Sequence, residues 1–143
     1  MVALVDVLRF YYTVARQVLR DLGECGAVGS DAVDVLREYV EAARDYVELG
    51  LPVRGGFVDE FRGIVDKSFY LALRCRGIDP VETVRAARRL EARLAVLVDS
   101  CSAAPLLLAE LRESLYRGSL VDVQRVVEEA RRLCPEAESP SHP

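Results

Sequence analysis

Apolar residues recur at alternating spacings of four and three from the start of the chain: Leu4, Leu8, Tyr11, Ala15, Val18 and Leu22. That spacing lines up side chains on one face of a 3.6-residue helix and does not fit the two-residue period of a strand. Val5, Tyr12 and Leu19 widen the stripe on one side, and Val7, Phe10 and Val14 widen it on the other. The apolar arc then covers roughly 220° of the helical wheel, against the ~100° of a helix with one core-facing stripe. Only Asp6, Arg9, Thr13, Arg16, Gln17 and Arg20 form a clear wet edge. A helix of this kind touches two surfaces: either it is central in a bundle, or it also faces a second subunit. In the second case the interface residues are Val7, Phe10, Tyr11, Val14 and Val18.

The same periodicity predicts six helices in all and no strand, the first over residues 2–22. After a Gly, Cys and Ser loop, Asp31 is the expected cap of a second helix ending near Leu49, with Ala32, Leu36, Tyr39, Ala43 and Tyr46 facing inward. Gly50 stops it, and the Leu51-Pro52-Val53-Arg54-Gly55-Gly56 link is read as non-helical. A third helix carries Phe57, Phe61, Ile64, Val65, Ser68, Ala72 and Cys75 and ends at Gly77. The sharpest boundary is Ile78-Asp79-Pro80-Val81-Glu82: Asp79 as cap, Pro80 in the first turn, Glu82 completing a capping box. The fourth helix runs to about Asp99 with Val84, Ala87, Leu94 and Val98 inward. The fifth covers residues 105–117 before Gly118. The sixth starts from Ser119 with Asp122 three residues on, and uses Leu120, Val123, Val127, Ala130 and Leu133 until Pro135 ends it.

Short links between amphipathic helices favour antiparallel neighbours. The expected fold is therefore all-α, an antiparallel up-and-down helical bundle of five to six helices. One domain spans residues 1–134, with a disordered tail over 135–143. At 143 residues the chain is long enough to form a core without a metal or cofactor, and none is expected. No apolar run reaches the ~20 residues that would span a bilayer. No signal peptide is visible, so the expected location is cytoplasmic.

The chain carries 18 Arg to one Lys, no Asn, two Gln and one Met. Scarcity of thermolabile residues among many charges resembles the thermophile pattern, though a GC-rich genome also raises Arg. That matters for Cys25, Cys75, Cys101 and Cys134, which show no C-x-x-C pair or nearby His that would suggest zinc. Tracing an up-and-down bundle puts Cys25 with Cys75 at one end and Cys101 with Cys134 at the other. Two disulfides, 25–75 and 101–134, are one reading; four inert thiols at helix ends are the alternative.

Three groups of charged residues could carry chemistry. Asp34, Glu38, Glu41, Asp45 and Glu48 share one face of the second helix, as a wall of an all-α Mg²⁺-dependent nucleotide hydrolase would. Arg37 and Arg44 beside them also suit a plain solvated face. On the fourth helix Arg85, Arg89 and Arg93 repeat every four residues with Arg88 at their edge, a row that could track phosphates of a nucleic acid. No exposed aromatic interleaves the row to stack bases, and a net charge of −4 offers no general attraction. The two faces could also dock on each other. Glu91 falls inside the apolar arc of the fourth helix, where a carboxylate needs a partner or a shifted pKa. Arg54-Gly55-Gly56 could hold an anion at a helix start, but such a turn is commonplace.

Absences narrow the function. The single histidine is His142, which leaves no E-x-x-H pair, Cys–His pair or Arg–His nuclease motif, and there is no P-loop. With 51% apolar residues the chain holds more greasy surface than one small bundle hides. The expected role is a non-enzymatic structural or protein-interaction module that self-associates as a homo-oligomer or meets a protein partner. Nucleic-acid binding through the arginine row is the alternative, and Mg²⁺-dependent nucleotide hydrolysis stands third.

Overall fold

The computed structural model describes residues 3–26 and 30–137. Within them lie α1 (Leu4–Glu24), α2 (Asp31–Leu49), α3 (Gly55–Cys75), α4 (Pro80–Val96), α5 (Ala104–Arg117) and α6 (Leu120–Leu133), with no strand. A 3-10 turn, Pro135–Ala137, follows α6.

Local chemistry explains where each helix begins and ends. Ser30, one residue before the expected cap, accepts a hydrogen bond from the Val33 amide at 3.3 Å. Asp31 then occupies the first turn, where its charge complements the helix dipole. Gly55 and Gly56 are the first residues of α3 instead of the link before it. In a first turn the amides have no intrahelical partner, so glycine costs less there than in a helix interior. Asp79 caps α4 as expected, accepting from the Val81 amide at 3.0 Å. Glu82 turns to Arg85 at 2.6 Å instead of reaching back to close a capping box. Gly77, at φ 78°, ends α3 with paired bonds from its own amide to Arg74 O and from Ile78 N to Leu73 O. α4 stops at Val96, earlier than expected, and turns lead from there into α5.

The six helices divide between two compact units, Met1–Ile78 and Asp79–Pro143. In the first, α1 packs against both α2 and α3, and α2 against α3. These contacts bury the central stripe of α1 and one flanking residue: Leu8, Tyr11, Tyr12, Ala15, Val18 and Leu22 are all buried, while Val5, Val7, Phe10, Val14 and Leu19 are half-buried. In the second unit α4, α5 and α6 pack pairwise around Leu90, Leu94, Leu107, Leu111, Val123 and Val126.

Ala137 is fully buried in that second core, and Arg93 Nη1 donates to its carbonyl at 3.1 Å. The order therefore extends past the expected start of the tail, because an apolar side chain and a carbonyl acceptor are both used there. Residues 138–143, with His142 among them, lie outside the described residues.

The units share a plan. In each, a cysteine just past the first helix pairs with one at the end of the third: Cys25 with Cys75, and Cys101 with Cys134. Both pairs have a Cα–Cα separation of 6.0 Å, and no cysteine is left free. An antiparallel three-helix bundle brings the ends of its first and third helices to one side, so the connectivity follows from the topology.

Candidate functional site

The arginine row of α4 is largely occupied by its own unit. Arg85 pairs with Glu82 at 2.6 Å, Arg88 with Glu91 at 3.0 Å, and Arg93 with the Ala137 carbonyl. Among the described residues, Arg89 alone of the four has no such partner. Guanidinium groups held this way carry less free charge toward a phosphate.

Glu91 is half-buried between α4 and α5. Arg112 Nε of α5 donates to its Oε2 at 2.9 Å, and Arg88 Nη1 donates to its Oε1 at 3.0 Å. These two hydrogen bonds, Arg112 first, hold the carboxyl below the usual glutamate range and outweigh desolvation. A carboxylate stabilised in this manner is a weak general base and serves as a bridge between two helices.

The most buried charge among the described residues escapes a periodicity reading. Asp122, in the first turn of α6, is 5% exposed; it meets Arg117 Nη2 at 2.6 Å and Arg125 Nε at 3.8 Å. Its amide donates to the Ser119 hydroxyl, so one residue serves both the cap and the ion cluster. The spacing to Arg125, three residues on, is the only sequence signal for it.

Asp34, Glu38, Glu41, Asp45 and Glu48 are all exposed along α2. Asp34 pairs with Arg37 at 3.2 Å, and among the described residues no three His, Cys, Asp or Glu groups come together to hold an ion. The acids of α3 add little, since Glu60 Oε2 accepts from the Tyr39 hydroxyl at 3.1 Å. That hydrogen bond, with the Glu60 charge, raises the Tyr39 pKa. Glu41 and Glu48 instead line an open groove between α1 and α2. Its volume is about 340 Å³, with Tyr12, Leu19 and Val40 apolar and Arg16 and Arg44 basic. The Arg16 guanidinium lies 5.7 Å from the Tyr12 ring centre. Two carboxylates and two guanidinium groups thus line the same groove. At the start of α3, Arg54 makes no side-chain cap, and Gly55 and Gly56 are the first helical residues of the element.

The interface residues expected on α1 separate into two groups. Tyr11 and Val18 are 1% and 2% exposed and belong to the unit's own core, so they are removed from any interface. They lie on the side of the arc that α2 and α3 cover. Val7, Phe10 and Val14 remain half-buried along one flank, and Leu4 is 45% exposed. The second unit also leaves apolar side chains in water, Tyr116 at 92% and Val96 at 80%. Among the described residues no helix is long and apolar enough to cross a membrane. Comparison with family models, with curated proteins and with solved structures finds no match to this chain.

Proposed function

We propose that this chain is a non-enzymatic interaction module that self-associates through the flank of α1. The observation that carries this reading is the apolar surface left after the first unit's core is formed: Val7, Phe10 and Val14, half-buried, with Leu4 at the helix start. Apolar area at a helix edge gains free energy when a second surface removes it from water. The charged groups support the reading indirectly. Arg85 pairs with Glu82, Arg88 with Glu91, Arg93 with the Ala137 carbonyl and Asp122 with Arg117, all within the second unit.

The test is the native mass by light scattering on a sizing column, at low and high salt. A dimer or higher oligomer that persists in high salt is expected, because an apolar contact is insensitive to ionic strength. Phe10→Glu should weaken association by about 2 kcal/mol, or ~30-fold in Kd, if the ring is buried by the second copy. Unchanged helicity of that variant by circular dichroism separates this effect from unfolding. A monomer at all concentrations would sink the proposal, and a salt-sensitive complex with nucleic acid would shift the role to Arg89 and its neighbours.

A further inference from the structure

The two disulfides have matching places in their units but opposite access to solvent. Cys25 and Cys75 are both exposed, at the ends of α1 and α3. Cys134 is 0% exposed within the second core, with Cys101 half-buried against that core. Thiol–disulfide exchange needs a thiolate to approach a sulfur in line with the bond, so access decides which pair reacts in the folded protein. We propose that Cys25–Cys75 is a reversible exchange site for external dithiols, while Cys101–Cys134 stays locked.

A thiolate of the dithiol attacks one sulfur of the exposed pair. A mixed disulfide forms as the Cys25–Cys75 bond breaks, and the electron pair leaves on the other cysteine as a thiolate. The second thiolate of the reagent then attacks the mixed disulfide, closing the reagent's own disulfide and releasing the second cysteine. Two electrons pass from dithiol to cystine.

Reversibility follows from what surrounds the pair. Arg76 Nη1 and Asp21 Oδ2, 3.6 Å apart, span the same two helix ends. Leu22, Ala72 and Leu73, within one turn of the sulfurs, are buried in the unit's core. Opening the bond therefore leaves the two thiols side by side and the helices packed. The exposed bond is not needed to hold α1 on α3.

The experiment treats the folded, non-reduced chain with graded dithiothreitol, alkylates at intervals and maps the labelled cysteines by mass spectrometry. Cys25 and Cys75 should label first, with Cys101 and Cys134 at least about tenfold slower because they wait for local opening of their unit. Far-ultraviolet circular dichroism should be unchanged after the first pair opens, and removal of the reductant in air should restore the starting mass. Cys25→Ser with Cys75→Ser should abolish the fast phase and leave the slow one. Equal rates for both pairs, earlier labelling of Cys101 and Cys134, four free thiols before treatment, or helix loss with the first pair would each overturn the proposal.

Discussion

At the scale of single residues, Glu91 shows how a charge within an apolar arc is tolerated. It accepts from arginines on two helices, one on its own α4 and one on α5. The hydrogen bonds lower its pKa in the folded chain, so the carboxylate binds its proton more weakly there than when unfolded. Its contribution to stability is then fully present above the unfolded glutamate value and is lost as pH falls through the lower, folded value. Glu91→Gln should cost about 1 kcal/mol at neutral pH, a figure between those of an exposed and a buried pair. In urea titrations the gap between variant and parent should narrow as pH drops below about 4, the range in which glutamate protonates. A gap that is the same at every pH would show that the carboxylate's charge has no part in it. The wheel made Glu91 conspicuous as a charge among apolar neighbours, but Arg112 lies 21 residues away and no periodicity links them. Asp122 was less visible still, because a first-turn aspartate reads as an ordinary helix start until its burial is known.

At the scale of elements, glycine position separates backbone cost from packing. Gly63 lies inside α3 and Gly77 beyond its end, at φ 78°; a Cβ at either position meets nothing within 4 Å. Packing is therefore equal at the two sites and only the backbone differs. Gly63→Ala should stabilise by about 0.5–1 kcal/mol, since alanine loses less freedom in a helix. Gly77→Ala should destabilise by about 1–2 kcal/mol, the strain of a side chain in the left-handed region. Thermal unfolding of the two variants should move in opposite directions, and shifts of the same sign would refute this account. Elements were the most legible level of the sequence. Asp79-Pro80 and Ser119 mark real starts, and Gly50, Gly77 and Gly118 real ends, because these residues act through bonds to neighbours a few positions away. The sequence is ambiguous where two neighbouring residues offer the same chemistry. Ser30 and Asp31 are both good caps, and Val126 and Val127 both fit the α6 stripe, yet Val126 is the fully buried one.

At the scale of the whole molecule, the helix faces are legible but their partners are not. A stripe shows which side of a helix is buried and says nothing about which stripe it meets. Six apolar stripes are thus as compatible with one bundle as with two sets of three. The cysteines carry the missing information in part, since their positions at or after the ends of α1, α3, α4 and α6 repeat the order helix, cysteine, helix, helix, cysteine. The boundary at Ile78-Asp79, read in the sequence as a helix start, is also where the two units divide. The consequence concerns cooperativity. Phe61 is fully buried among α1–α3, stacked 6.0 Å from Phe57, whereas the α4–α6 cluster is built from second-unit side chains. Phe61→Ala removes a large ring from one core, at a cost of about 3–5 kcal/mol. Amide hydrogen exchange should then accelerate throughout α1–α3 while α4–α6 keep the protection of the parent. Equal loss of protection in all six helices would mean that the chain unfolds as one body, and that the division by cysteine pairs has no counterpart in stability.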